Sequence, residues 1–224
     1  MPLNSLLVIA FILAILDWIA VLFNLRRVEY FIKPSVILVL LAWQLLARDQ
    51  IPQLWWFSVA LVFSLAGDIF QLFSNKFFLV SLVAFLFAHL TYVFGFTPSF
   101  PPVSIATLAL FLLIGYTLKQ IYTIISTRLH SQGAINLNKP VLIYIIAIGL
   151  MVFSALTTMI RPEKEWGVFP AILASSGALL FLTSDAMIAW NKFVHPFRSN
   201  RILVMVTYHL AQFAIIYAAV INYT

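Results

Sequence analysis

Apolar residues fill eight long segments of the chain, and short polar stretches separate them. Most segments approach the ~20 residues that a helix needs to cross a bilayer. They are approximately residues 3–24, 32–47, 52–73, 77–97, 101–122, 140–160, 166–190 and 202–222. A longer polar connection is expected at about 123–139. The pattern predicts an all-α, polytopic membrane bundle of eight transmembrane helices, which forms a single membrane domain over residues 1–224.

Polar residues interrupt the third segment at helical spacing. Ser64, Asp68, Gln71 and Asn75 are separated by four, three and four residues, which places them on one face of a helix. A carboxylate in a spanning helix costs about 2.5–3.5 kcal/mol on insertion scales, so Asp68 is expected to face protein or water rather than lipid. Asp68 is therefore a candidate functional residue. The alternative is a structural acid that hydrogen-bonds neighbouring helices.

The composition agrees with a membrane protein, because 63% of the residues are hydrophobic and only 9% are charged, whereas soluble domains are about 25% charged. The absence of cysteine excludes disulfides, thiolate catalysis and cysteine-ligated metal. The first segment lacks a basic leader and a cleavage site, so we expect a first span rather than a removed signal peptide. We attribute the net charge of +6 to topology and anionic headgroups, and expect no nucleic-acid partner.

Basic residues are unevenly divided between the two sides of the predicted bundle. On one side lie only Arg48, Arg161 and Lys164. On the other lie Arg26, Arg27, Lys33, Lys76, Lys119, Arg128, Lys139, Lys192, Arg198 and Arg201. Because cytoplasmic connections are enriched in Lys and Arg, we predict that the second side faces the cytoplasm and that both termini lie on the non-cytoplasmic side.

Polar side chains from five predicted helices fall at a similar depth, in the cytoplasmic half of the membrane. Counted from the predicted helix ends, they are Asp17, Asp68, Tyr144, Asp185 and Tyr208. His89 lies nearer the middle of its span. A shared polar layer predicts an intramembrane site rather than scattered packing contacts.

Short motifs recur in the same order four helices apart. The matches are Lys33-Pro34 with Lys139-Pro140, Asp68 before Asn75-Lys76-Phe77 with Asp185 before Asn191-Lys192-Phe193, and His89 with His209. The pattern predicts two parallel four-helix repeats, about 1–97 and 101–224, related by a pseudo-two-fold axis along the membrane normal. This axis would make Asp68 and Asp185 partners across the centre.

The acidic residues divide between connections and spans. Asp17, Asp68 and Asp185 lie in spans, with no Lys or Arg expected deep beside them, while Glu29 and the other acids lie in connections. Two close carboxyl groups in such a setting are expected to keep one protonated and one ionised near neutral pH, which suits general acid/base catalysis. The alternative is that they share a proton or bond Ser64, Ser184 and tyrosines for packing alone. Asp17 is expected to be a supporting acid.

Other polar residues near this layer are candidates for binding a substrate. Lys33 and Lys139 would either extend to the headgroups or hold a substrate phosphate near the carboxylates. His89 and Tyr92 would either line the cavity or be satisfied core residues. No metal or cofactor is expected from the dispersed histidines, although an oxygen-ligated metal at the aspartates stays open. The chain has no G-x-S-x-G, HExxH, P-loop or G-x-G-x-x-G motif.

Over nearly its full length the chain resembles the YhhN-like family of membrane lysoplasmalogenases. The motifs that carry the resemblance are Lys33-Pro34, Phe63-Ser64-x-x-Gly67-Asp68, Ala88-His89-x-x-Tyr92, Pro140-Val141-x-x-Tyr144, Gly177-Ala178, Phe181-x-x-Ser184-Asp185-x-x-x-Ala189, Lys192-Phe193 and Tyr208-x-x-x-Gln212. The resemblance implies hydrolysis of the vinyl ether bond of lysoplasmalogens, which releases a fatty aldehyde and a glycerophospho-base. It also implies that Asp68 and Asp185 are the catalytic candidates.

In this chemistry one aspartate would protonate the alkene carbon, and the other would stabilise the oxocarbenium ion and activate water. Which aspartate plays which part is left open. The substrate would be a lysophospholipid that enters from the cytoplasmic leaflet, with its phosphate near the two lysines. The candidate substrate-binding residues are Lys33, Ser64, His89, Tyr92, Lys139, Tyr144, Ser184, Tyr208 and Gln212.

Two functions of other classes stay open. Intramembrane acids and parallel repeats also suit a small-molecule or proton-coupled transporter, and a non-catalytic lipid-binding protein would use the same cavity. The partners expected in every case are membrane lipids, and the oligomeric state is open. We expect an integral protein of a bacterial inner (plasma) membrane, with the site towards the cytoplasmic side.

Overall fold

The computed structural model of the chain describes residues 3–47, 51–73, 75–161 and 165–224. The described residues form helices without any strand, and eight of the helices are long and apolar enough to cross a membrane. These are α1 (Leu3–Leu22), α2 (Arg26–Ala47), α3 (Leu54–Leu72), α4 (Phe78–Phe96), α5 (Ile105–Ser131), α6 (Asn138–Thr157), α7 (Val168–Ala189) and α8 (Asn200–Tyr223). The predicted all-α bundle of eight spans is confirmed. Of the charged residues of the chain, Arg48, Asp49, Glu163 and Lys164 lie outside the described residues.

Helix α2 begins well before the predicted residue 32, directly after a turn in which Asn24 has a φ of 55°. The longer helix carries Glu29 and Lys33 inside the bundle, where both side chains are buried. The predictions that Glu29 lies in a connection and that Lys33 opens the helix were therefore wrong. Glu29 is tolerated there because Arg201 of α8 donates a 2.5 Å bond to its carboxylate.

Helix α5 also exceeds its predicted length and takes up much of the connection expected at 123–139. Its last turns are held because Ile125 and Leu129 pack into an apolar cluster with α6 and Phe193. The helix stops before Gly133, whose φ of +70° is the left-handed conformation that commonly closes a helix.

The helices pack in pairs, with α1 against α2, α3 against α4, and α7 against α8. Contacts between α4 and α6 join the two halves of the chain. Pairing of α3 with α4 and of α7 with α8 is what a four-helix repeat would produce. The repeat itself and the placement of the termini stay predictions.

Helix α5 is attached to the bundle more loosely than α1, its counterpart in the predicted repeat. Helix α1 packs against both α2 and α8, whereas α5 packs mainly against α6 and the turn that follows α7. Among the described residues of α5, only Ile125 and Leu129 are buried. A cavity is consequently left between α5 and the helices α4, α6 and α7.

The ends of α3 and α7 lie beside the starts of α2, α4 and α8, where they border a second cavity. Its wall includes Arg26, Lys33, Lys192 and Arg201, and we call this part of the molecule the basic end. Helix α7 does not stop cleanly there, because it continues as a π-helical turn over Trp190–Val194.

Candidate active site

Asp185 is held by side chains from two neighbouring helices. Its Oδ2 accepts a 2.5 Å hydrogen bond from the Tyr144 hydroxyl of α6, and it lies 3.0 Å from Nε2 of His89 of α4. His89 Nε2 also lies 3.0 Å from the Tyr144 hydroxyl oxygen. The Tyr144 hydroxyl uses its hydrogen for Asp185. In the contacts of His89 with Asp185 and Tyr144, Nε2 of His89 therefore carries the hydrogen and donates it. We call these three residues the Asp185 cluster.

The Asp185 cluster forms one wall of the cavity between α4, α5, α6 and α7, which we call the apolar cavity. It has a volume of about 70 Å³. Most of its lining is aliphatic or aromatic, and its polar side chains are those of Gln71, Ser81, Tyr144 and Asp185. A carboxyl group thus faces a narrow, mainly hydrocarbon space.

Asp68 lies in a different set of contacts and is fully buried. Its Oδ1 is 3.2 Å from the Lys33 ammonium of α2, and its Oδ2 accepts a 2.7 Å hydrogen bond from the Tyr208 hydroxyl of α8. Lys33 also donates a short hydrogen bond to the Gln71 side-chain oxygen. The prediction that no basic residue lies deep beside the intramembrane acids was therefore wrong, since Lys33 neutralises Asp68. We call Lys33, Asp68, Gln71 and Tyr208 the Asp68 cluster.

In the described structure no hydrogen bond joins the carboxyl groups of Asp68 and Asp185, and each is bonded to partners of its own. Phe181 packs against both clusters, with its ring centre 4.8 Å from that of His89 and 5.4 Å from that of Tyr208. Gln71 is bonded to Lys33 in the Asp68 cluster and lines the same cavity as Tyr144 and Asp185. Each aspartate has its own tyrosine donor.

Three further predicted binding residues form a network inside the core. The Tyr92 hydroxyl donates to the Gln212 side-chain oxygen at 2.5 Å, and the Gln212 amide donates to Ser64 at 3.0 Å. All three side chains are buried, and neither cavity includes them among its described lining residues. Ser184 donates to the backbone oxygen of Val204 at 3.2 Å, which ties α7 to α8. These four residues hold helices together next to the clusters.

Lys139 is not brought to the aspartates. It lies exposed at the start of α6, and neither cavity includes it among the described residues of its wall. The matching motif places Lys33 differently because α2 begins at Arg26, far before its Lys-Pro pair, whereas α6 begins at Asn138.

Asp17 of α1 and His209 of α8 are two further buried polar residues, outside both clusters. The Trp18 indole donates to His209 Nδ1 at 3.0 Å, so the proton of His209 resides on Nε2. That nitrogen and both carboxyl oxygens of Asp17 make no hydrogen bond with the described residues. Asp17 lies within electrostatic reach of Lys33 and Asp68, and its part as a supporting acid stays a prediction.

The cavity at the basic end, which we call the polar cavity, has a volume of about 540 Å³. It shares Gln71, Phe78 and Ile188 with the apolar cavity, so the two adjoin along these side chains. Sequence reasoning did not place Arg26 or Lys192 at a site. The repeated Asn-Lys-Phe motif was the available signal for Lys192, whereas Arg26 carried none beyond its charge.

Within the described parts of the chain, no group of three or more His, Asp or Glu side chains is arranged to hold a metal ion. The described candidate site contains two carboxyl groups, tyrosine and histidine donors, Lys33 and Gln71.

Sequence comparisons identify the relatives of this chain. Residues 28–219 match the profile of the YhhN family. The chain is 32% identical to human (Homo sapiens) lysoplasmalogenase TMEM86A over 164 residues, which are 72% of this chain and 64% of that protein. It is 30% identical to mouse (Mus musculus) lysoplasmalogenase TMEM86B over 192 residues, 85% of this chain and 74% of that protein. The match thus spans slightly less than two thirds of the human relative's length. No solved structure matches the chain. The chain belongs to the YhhN family.

Proposed function

We propose that this protein is a membrane hydrolase that cleaves the vinyl ether bond of lysoplasmalogens into a fatty aldehyde and a glycerophospho-base. The observation that carries the proposal is the Asp185 carboxyl, bonded by Tyr144 and His89 at the wall of an apolar cavity. The family match and the names of the curated relatives support the same reaction.

The reaction needs a proton donor beside a hydrocarbon chain. Protonation of the alkene carbon leaves an oxocarbenium ion, water adds to it with loss of a proton, and the resulting hemiacetal collapses to aldehyde and alcohol. We assign the proton transfers to Asp185, because among the described residues it is the intramembrane carboxyl that lines the apolar cavity. Once ionised, the same carboxylate stabilises the cation and accepts the proton of the attacking water, while Nε2 of His89 and the Tyr144 hydroxyl stay hydrogen-bonded to it.

Asp68 has a different part in this proposal. It lines neither cavity among the described residues, and its charge is matched by Lys33. Through that pair it holds Lys33 and Gln71 at the boundary between the two cavities. Asp68 is therefore a positioning residue. In this two-aspartate mechanism Asp185 transfers the protons, and Asp68 holds Lys33 and Gln71 in place.

The test is an assay of the purified protein in detergent with three lysophospholipids of equal chain length: a vinyl ether, an alkyl ether and an ester. We expect aldehyde from the vinyl ether alone. The Asp185→Asn protein should release far less aldehyde, while Lys139→Gln, which alters an exposed charge outside the described walls of both cavities, should behave like wild type. Absence of product from all three lipids would refute the hydrolase and favour a carrier or lipid-binding function.

A further inference from the structure

We propose that the polar cavity is the binding subsite for the phosphate and glycerol of the lysolipid, with Arg26 and Lys192 as its phosphate ligands. This inference rests on the proposed function, and it names the part of the molecule that recognises the head of the substrate. Neither residue belongs to the clusters around the aspartates.

The size of the polar cavity suits a headgroup. Its volume of about 540 Å³ lies within the range of about 300–1,000 Å³ that is common for ligand sites. The apolar cavity is much smaller, at about 70 Å³. The larger cavity is thus bordered by several charged side chains, whereas the smaller one is bordered mainly by hydrocarbon and by the Asp185 carboxyl.

The charges on the cavity wall leave two cations for a ligand. Lys33 is matched by Asp68, and Arg201 is matched by Glu29. Arg26 and Lys192 also line the cavity, and neither forms an ion pair with any described carboxylate. A phosphodiester carries one negative charge and accepts charge-assisted hydrogen bonds from both kinds of side chain.

The π-helical turn at the end of α7 brings Lys192 to this wall. A π-helical turn is rare and is frequently found at functional sites. Here Asn191 accepts a 3.3 Å hydrogen bond from the backbone of Phe197, which fixes the turn, and the Lys192 ammonium lies 4.0 Å from the ring centre of Phe78. Phe78 borders both cavities, so this lysine stands where they adjoin.

Asn200 supplies a second, independent sign of a ligand. Its side chain lines the polar cavity and is only 7% exposed, and its Oδ1 makes no hydrogen bond with any described residue. A buried acceptor of this kind is costly unless a donor reaches it. The free hydroxyl of a lysolipid glycerol is such a donor.

The chemical order of the substrate matches the order of the two cavities. In a lysoplasmalogen, the vinyl ether joins the polar glycerophosphate to the hydrocarbon chain. With the head in the polar cavity and the start of the chain in the apolar cavity, the reactive bond lies beside Gln71 and Asp185. Lys139, one of the candidate substrate-binding residues of the sequence, lies outside the described walls of both cavities and serves as a control.

The experiment compares two vinyl ethers with the same chain: the lysophosphoethanolamine and the 1-alkenylglycerol that lacks phosphate. Arg26→Gln and Lys192→Gln should each raise KM for the phospholipid about tenfold or more, the loss expected for one charge-assisted bond. Their kcat should stay close to wild type, and their KM for the alkenylglycerol should not change. Lys139→Gln should leave all values unchanged. Equal effects on both substrates, or no effect on either, would overturn the subsite.

A binding measurement separates this inference from the hydrolase proposal. An alkyl ether lysophospholipid is not cleaved, so its affinity can be measured by intrinsic tryptophan fluorescence even if no lipid is hydrolysed. Weaker binding to Lys192→Gln than to Lys139→Gln supports the subsite whether or not aldehyde is ever formed, whereas equal binding refutes it. Competition by glycerophosphoethanolamine, but not by the same concentration of inorganic phosphate, supports a headgroup site. Equal competition by inorganic phosphate would refute that assignment.

Discussion

The ammonium of Lys33 lies 3.2 Å from a carboxylate oxygen of Asp68, and each side chain is only 1% exposed. Two opposite charges are thus held together inside the bundle, away from water. Removal of one partner would leave the other charge buried and unmatched, which is far more costly than the loss of the contact itself.

Asp68→Asn is accordingly expected to destabilise the protein by about 3–5 kcal/mol, the usual cost of breaking a buried pair. The double variant Asp68→Asn/Lys33→Met removes both charges and should regain most of that stability. Unfolding of the purified proteins in detergent measures both effects. If Asp68→Asn is as stable as wild type, the ion pair between Lys33 and Asp68 does not stabilise the protein.

The same pair of variants tests the positioning role of Asp68. The double variant should fold but turn over slowly, because Gln71 loses the Lys33 bond at the cavity boundary. Asp68→Glu should recover part of the activity, since it keeps the charge on Lys33. Full activity in the double variant would remove Asp68 and Lys33 from the mechanism.

Asp185→Asn is expected to lower aldehyde release by about 10²–10⁴-fold, the usual contribution of a general acid or base. Stability should change little, since no Lys or Arg pairs with Asp185 in its described contacts and asparagine keeps an acceptor oxygen for Tyr144 and His89. Tyr144→Phe and His89→Gln should give smaller losses, because each removes one donor to a carboxyl that remains. Rates are compared with unfolding midpoints measured on the same preparations. A large loss of stability with normal specific activity would assign Asp185 to structure.

Filling the apolar cavity with a larger side chain tests whether the reaction takes place there. Ile121 of α5 lines it, whereas Leu112 of the same helix is 60% exposed and lies outside its described lining. Ile121→Trp should lower kcat/KM for the vinyl ether lysolipid about tenfold or more, as steric exclusion from a narrow pocket predicts. Leu112→Trp adds the same side chain without filling the cavity and should be neutral. Equal activity of the two variants would argue against the cavity as the reaction space.

Substitution of two glycines, one tightly packed and one in open space, tests the packing next to the candidate site. A Cβ added to Gly67 would lie 2.7 Å from the Phe85 ring, whereas at Gly115 it would meet open space. Phe85 is itself held against Phe181 and Tyr208. Gly67→Ala should therefore destabilise the protein by about 1–3 kcal/mol, as overpacking does. Gly115→Ala should be neutral or slightly stabilising. The same shift in both variants would contradict the close packing at Gly67.

Much of this architecture could be predicted from the sequence. Long apolar segments mark the eight helices because the bilayer requires them, and Asp68 and Asp185 stood out as costly residues within those segments. Lys33 was misplaced for a physical reason. The start of α2 is rich in charge, so it resembles a connection, and only the partners on α3 and α8 make its burial tolerable.

The different partners of the two aspartates could not be predicted from the sequence either. Equal depth and matching motifs suggested a carboxyl pair. Neither pattern reports which neighbouring helix supplies the hydrogen bonds of each acid. In the structure α8 supplies Tyr208 to Asp68, while α4 and α6 supply His89 and Tyr144 to Asp185. Such contacts depend on how the helices are arranged around one another, which hydropathy along one chain does not encode.

The loose attachment of α5 bears on how the rate would be controlled. This helix forms one side of the apolar cavity, yet nearly all of its described surface is turned outwards. A substrate that reaches the cavity past α5 is supplied by the surrounding hydrocarbon and not by the aqueous phase. Turnover should then follow the mole fraction of lysolipid in the bilayer or micelle, and dilution with inert lipid at constant total substrate should slow it. The concentration that sets the rate would then be that of lysolipid within the membrane.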